Sequence, residues 1–250
     1  VSPLHALAIF AAGVAAGTIN TVVGSGTLIT FPVLLALGCP PVVANVSNTV
    51  GLVPGSASGA LGYRRELTGQ LARALPLAIC SLLGGVLGAV LLLVLPASAF
   101  AAIVPAFIAI ALLLIVAQPR LSRWLAARGA LRRQRAGAGG LAGVFASGIY
   151  GGYFGAAQGI MLLSILGLSL DDELQRINAL KVVLAGLVNL VSGAIFIFAA
   201  HVFWGAAGLI AAGSILGGLI GSHHGRRLAP AALRLVIVAV GIAAIVKLVV

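Results

Sequence analysis

Residues 1–63 contain no Asp, Glu, Lys or Arg, and a second run, 182–222, is equally free of them, with His201 its one titratable group. Water-soluble domains carry roughly 25% charged residues. This chain carries 8%, against 61% hydrophobic residues. No soluble core could hide that much apolar surface. In lipid every backbone N–H and C=O must be satisfied within the structure, which leaves helices and closed barrels. Barrel strands would appear as alternating segments of ~10 residues, whereas the apolar runs here are long and continuous. The expected fold class is therefore all-α, a polytopic integral membrane protein.

Breakers divide the runs. At roughly 20 residues per crossing, 1–63 has room for about three passes. Gly24-Ser25-Gly26 separates 4–22 from 27–37, and Gly38-Cys39-Pro40-Pro41 separates that short segment from 42–62. Helices are expected at 74–95 and 97–117, then a basic linker at 118–136 holding Arg120, Arg123, Arg128, Arg132, Arg133 and Arg135. The second half runs 138–154, a glycine break at 151–159, a short segment at 160–168, an elbow at 169–176, then helices at 177–199, 205–222 and 231–249. The N-terminus lacks a positively charged leader and is read as the start of the first helix.

This order is a repeat. GVAAGTINTVVGSG (13–26) lies against GVFASGIYGGYFGA (143–156), GGVLGA (84–89) against GGLIGS (217–222), and SGA (58–60) against SGA (192–194). The matches keep one order at nearly one offset, which argues for duplication. The basic loop at 63–73 has an uncharged mate near 199–205, and the basic turn 223–227 has one near 93–98. Positive charge marks the cytoplasmic side, so corresponding loops face opposite sides. Such an inverted repeat needs an odd number of crossings per half. Five are expected in each: 1–117 as the first repeat, 118–136 as a cytoplasmic linker and 137–250 as the second.

The net charge of +11 sits in short loops. It fits the positive-inside rule and anionic membrane lipids as partners, and nucleic acid is not expected. Cys39 and Cys80 have no metal-ligand spacing and read as small hydrophobes. HExxH and Walker motifs are both absent from the sequence, so neither an intramembrane protease nor ATP hydrolysis is supported, and no cofactor or metal is expected.

Inverted halves with glycine-broken helices point to a secondary transporter, whose substrate sits near the midplane where broken helices free backbone groups. The first candidates are the breaks: Asn20, Thr21, Gly24, Ser25 and Gly26 in one half, and Gly155, Gln158 and Gly159 in the other. The alternative for each glycine is tight helix packing. A second cluster opens the third segment of each half. It comprises Asn45, Ser47, Asn48 and Thr49, then Asn178 and Lys181. At an offset of 133, Asn45 matches Asn178 and Asn48 matches Lys181. Residues three apart share a helix face, so two polar faces would meet across the centre and bind a small anion. Asn45 and Ser47 could instead cap a helix after Pro41, and Lys181 could instead snorkel to the surface. Asp171, Asp172 and Glu173 read as the first turn of a helix.

The stretch GTINTVVGSGTLITFPVLLALG, the Asn/Ser/Thr-rich segment after it, Tyr63-Arg64-Arg65 and the GGVLGA helix together resemble the TauE/SafE sulfite-exporter family. The second half looks like the same module again, so the resemblance covers about 5–249. It implies a multi-pass permease of the bacterial inner membrane for small sulfur-containing anions, sulfite or organosulfonates, with the breaks and following polar segments lining the path. Export by alternating access is the expected activity; carboxylate transport and a passive anion channel are the alternatives. Where family members often carry Gly-x-Gly-Gly in the first break, this chain has Gly24-Ser25-Gly26-Thr27. Lys181 stands at a position that is ordinarily neutral, which points to a more strongly anionic substrate.

Overall fold

A computed structural model describes residues 2–127, 136–224 and 230–249. Helices account for nearly all of them, and no strand occurs among the described residues. The first half holds α1 (Pro3–Val22), α2 (Thr27–Ala36), α3 (Pro41–Gly62), the single turn α4 (Arg64–Leu67), α5 (Leu71–Val94) and α6 (Ala97–Ala127). The second holds α7 (Ala138–Tyr153), α8 (Gln158–Ser169), α9 (Leu174–Ala199), α10 (Trp204–His224) and α11 (Pro230–Val249). Five helices, α1, α5, α6, α9 and α10, are long and apolar enough to cross a membrane. The chain is a polytopic membrane protein.

The local causes are plain. Ser2 Oγ accepts the His5 N–H at 3.3 Å and Pro3 opens α1, a start that needs no donor from the proline. Pro41 starts α3 in the same way. α2 has 10 residues and α8 has 12. At 1.5 Å per residue they are about 15 Å and about 18 Å long, well short of a ~30 Å hydrocarbon core. Each is a half-helix that folds back beside the helix before it: a Cβ on Gly143 of α7 would lie 3.0 Å from Ile165 of α8, and one on Gly140 would lie 2.6 Å from Ser169. At the junctions Gly24 has φ +90° and Gly155 φ +79°, the left-handed conformation that lets the chain turn without a Cβ clash.

Two boundaries differ from expectation. α6 does not stop at 117 but runs through Pro119, Arg120 and Arg123 to Ala127. A proline inside a helix removes only its own donor and displaces one carbonyl, and the surrounding Leu, Ala and Arg residues favour helix. The linker residues Arg128, Arg132, Arg133 and Arg135, and Gly225 to Arg227 of the second basic turn, lie outside the described residues. The acids of the elbow also sit differently. α9 begins at Leu174, so Asp171 to Glu173 precede its first turn rather than form it. Glu173 is the N-cap but makes no side-chain cap bond, because the elbow's hydrogen bonding is taken up by Asp172 and two arginines.

The halves are interleaved. α1 packs on α10 and α10 on α3; α7 packs on α5 and α5 on α9; α3 and α9 meet in the middle. The contacts of α1 with α10 and of α7 with α5 are backbone-close. A Cβ on Gly13 would fall 2.9 Å from the Ile210 carbonyl oxygen, and one on Gly148 would fall 2.8 Å from that of Ser81. Small residues permit this approach, and packing between helices in lipid depends on it. Serines seal the seams: Ser214 Oγ donates to Gly51 O at 3.0 Å, and Ser81 Oγ to Leu184 O at 3.1 Å. On the other face of α5, Leu71, Leu75, Ile79, Leu83 and Leu87 are exposed, as suits a surface against lipid tails.

Candidate functional site

The two breaks touch. Gly159, at the start of α8, donates its N–H to Gly24 O at 3.0 Å. A Cβ on Gly24 would come within 2.5 Å of Gly159 Cα. Two irregular stretches, one from each half, thus meet inside the protein, the only setting lipid allows for them. Aromatic rings wall one side of the junction. Phe31 of α2 stands edge-on to Phe154 at 5.2 Å between centroids, and Phe100 of α6 lies 5.9 Å from the same ring.

α3 and α9 supply side chains to the broken ends. Asn45 is buried, and its Nδ2 donates to Tyr153 O at 2.9 Å, the last carbonyl of α7. Asn178 is buried too, and its Nδ2 donates to Thr21 O at 3.3 Å in the last turn of α1. Lys181 is 0% exposed. Its Nζ donates to Asn20 O at 3.2 Å and Thr21 O at 3.1 Å. Helix C-termini carry exposed carbonyls and a partial negative charge, so a cation is stabilised there. The lysine does not snorkel; it points across the protein to the opposite half. Asn45 does not cap α3 either, since it lies a full turn inside a helix that Pro41 begins.

The remaining residues divide. Asn48, which matches Lys181 in sequence, turns instead to α2 of its own half: its Oδ1 accepts from Thr30 Oγ1, and its Nδ2 donates to Thr27 Oγ1 at 3.3 Å. Ser47 Oγ accepts the Phe203 N–H at 2.8 Å, holding the turn before α10. Thr49 Oγ1 returns to Asn45 O on its own helix. Gly26 packs so closely under Ala16 O that no Cβ fits. Gln158 is buried with its amide against Gly151, and its Nε2 has no partner; Ser25 Oγ and Asn45 Oδ1 are also buried without one. These three belong to or adjoin the breaks. Buried polar atoms are normally satisfied, so the breaks hold spare donors and one spare acceptor. Thr27, Thr30 and the Tyr153 carbonyl were not anticipated. The threonines follow Gly26 at helical spacing, but a main-chain carbonyl leaves no trace in sequence.

At the end of the fold bearing Arg64, Arg65 and Arg73, Asp172 joins the halves. It accepts from Arg73 of α5 and from Arg176 Nε of α9 at 2.9 Å. Gln70 Nε2 adds a bond to Arg176 O at 3.2 Å, and Arg176 reaches Thr68 O at 3.2 Å. Burial pushes the Asp172 carboxyl up, but the hydrogen bonds from Arg73, Arg176 and the Glu173 N–H, with the charge of Arg73, hold it below its usual range. Both cysteines are free and half-buried, and burial raises the Cys39 thiol. No group of three metal-ligating side chains forms among the described residues.

Broken helices paired across a buried interior, with amides and one ammonium directed at their ends, define a multi-pass membrane protein with buried polar groups between its halves. The chain belongs to the TauE/SafE sulfite exporter family, whose model matches residues 9–248. It is 30% identical over 256 residues to a "Probable membrane transporter protein ORF9" of Sinorhizobium sp, covering 98% of this chain and 92% of that one. A "Probable membrane transporter protein" of Haemophilus influenzae is 31% identical over 218 residues, 86% of this chain and 82% of its own length. The Escherichia coli K12 "Probable membrane transporter protein YfcA" is 27% identical over 227 residues, 89% and 81% of the two chains. No solved structure matches. Family and relatives alike indicate a membrane transporter.

Proposed function

We propose that the chain is a secondary transporter of the bacterial inner membrane that exports a small sulfur-containing oxyanion, sulfite or an organosulfonate, by alternating access. The site is the junction of the breaks: Asn20, Thr21, Gly24, Ser25 and Gly26 with Gly155, Gln158 and Gly159, flanked by Asn45, Ser47, Asn48 and Thr49 on α3 and by Asn178 and Lys181 on α9. The halves 1–117 and 137–250 act as inverted repeats joined by 118–136. Exchange of packing partners supports this: α1 with α10 and α7 with α5 are matching pairs with the halves swapped.

The observation that carries the reading is Lys181. All four acidic residues, Glu66, Asp171, Asp172 and Glu173, lie outside the crossing helices. No carboxylate neutralises the buried ammonium. A buried cation, in a protein whose breaks also hold the unpartnered buried donors Ser25 Oγ and Gln158 Nε2, favours an anionic ligand. Charge-assisted hydrogen bonds to oxyanions are the strong ones.

Purified protein in proteoliposomes provides the test. Sulfite efflux is expected to saturate, to show counterflow, and to be lost in Lys181→Ala. Non-saturating flux would mean a channel. Acceleration by simple carboxylates, with none by sulfite or sulfoacetate, would move the substrate to the carboxylate class.

A further inference from the structure

We propose that Lys181 is a tethered cation: its ammonium occupies the carbonyl end of α1 that a mobile coupling ion would otherwise fill. Transporters built on discontinuous helices use half-helix C-termini and unwound carbonyls to coordinate Na⁺ or H⁺. Here the carbonyls of Asn20 and Thr21 face the interior because the chain turns away at Gly24. They accept from Nζ at 3.2 and 3.1 Å, and Asn178 adds a third donor at Thr21 O. The set is occupied by the protein's own charge. Since α9 and α1 belong to different halves, the same contact holds them together.

The corresponding end in the second half is arranged differently. The Tyr153 carbonyl closing α7 is met by the neutral amide of Asn45. Asn48, at the position equivalent to Lys181, is engaged by Thr27 and Thr30. The cation is therefore built into one half alone. It follows that the protein neither needs nor has room for Na⁺ or K⁺ at α1. The anion itself completes the charge balance of the site. That last step rests on the anion-transport reading; the tether rests on the geometry at α1.

The test uses the thermal unfolding of the purified full chain in detergent, in choline, sodium, potassium or methylammonium chloride at equal concentration. Wild-type protein is expected to unfold at one temperature in all four salts. Lys181→Ala opens a carbonyl-lined space. It is expected to unfold at lower temperature in choline and to regain about 3 °C or more with Na⁺ or methylammonium. Three results overturn the proposal: wild type stabilised by Na⁺ over choline, a Lys181→Ala protein as stable as wild type, and a destabilised one that no cation rescues. If Lys181→Ala does not accumulate, Lys181→Gln keeps a donor without the charge and is expected to be less stable than wild type. Equal stability would show that hydrogen bonding alone suffices and would sink the tether. None of these readings involves flux, so failure to transport sulfite would leave them intact.

Discussion

Asn45 and Asn178 perform the same task on opposite halves of the protein. Each sends its side-chain amide across to a carbonyl at the end of the other half's first helix, Asn45 to Tyr153 and Asn178 to Thr21. The two residues stand 133 positions apart. Each bond satisfies a carbonyl that the helix break leaves without an intrahelical donor.

Removing the Asn45 amide strands a buried acceptor, at a cost of about 1–3 kcal/mol, and removing the Asn178 amide takes one of two donors from Thr21 O. Asn45→Ala and Asn178→Ala are each expected to lower the thermal unfolding temperature. Asn178→Ala should lose less, because Lys181 still serves Thr21 O. Scanning fluorimetry on the two purified variants decides the order, and the reverse order would contradict the shared-acceptor geometry.

The left-handed glycines of the two breaks, Gly24 and Gly155, should also differ. A non-glycine residue in this conformation costs roughly 1–2 kcal/mol. At Gly155 a new Cβ would lie 3.0 Å from the Gly151 carbonyl oxygen; at Gly24 it would lie 2.5 Å from Gly159 Cα. Gly24→Ala is therefore expected to force the two breaks apart and abolish flux. Gly155→Ala should weaken stability while leaving some transport. Membrane abundance on immunoblots, measured alongside sulfite efflux, separates the effects.

Helix crossings give a sharper contrast. A Cβ on Gly213 would lie 2.8 Å from the Val14 nitrogen of α1 and closer still to the Phe10 carbonyl oxygen, whereas one on Gly208, on the same helix, would meet nothing within 4 Å. Gly213→Val is expected to prevent accumulation of folded protein, since overpacking typically costs 1–3 kcal/mol and backbone contacts leave no side chain to yield. Gly208→Val should be silent. Comparable yields of the two monodisperse proteins would refute the packing of α1 on α10.

Asp172 predicts a pH dependence with a definite sign. Its folded pKa lies below the usual carboxylate value. The unfolded chain thus binds the proton more tightly, and the stabilisation is fully present above the unfolded pKa of about 3.9. It is lost as pH falls through the folded value. Asp172→Asn should lower the unfolding temperature at neutral pH and flatten this acid limb. An unchanged acid limb would show that the pairs with Arg73 and Arg176 add nothing to stability.

Membrane class, helix order and the places where helices break were all legible in the sequence, because they depend on local composition. Long uncharged runs can be stable only in lipid, and glycine or proline interrupts a helix wherever it falls. Asn45, Asn178 and Lys181 could be singled out for the same reason: polar residues in apolar helices need partners. What those partners are was decided by the tertiary structure. Lys181 and Asn48 match in register, yet one reaches across to α1 and the other turns to the threonines of α2. Asp172 pairs with Arg73, about a hundred residues away in sequence. The carbonyls of Asn20, Thr21 and Tyr153 accept side-chain hydrogen bonds only because folding brings α9 and α3 to the ends of α1 and α7. Every residue has a main-chain carbonyl; a helix end, and a side chain placed opposite it, determine which ones matter.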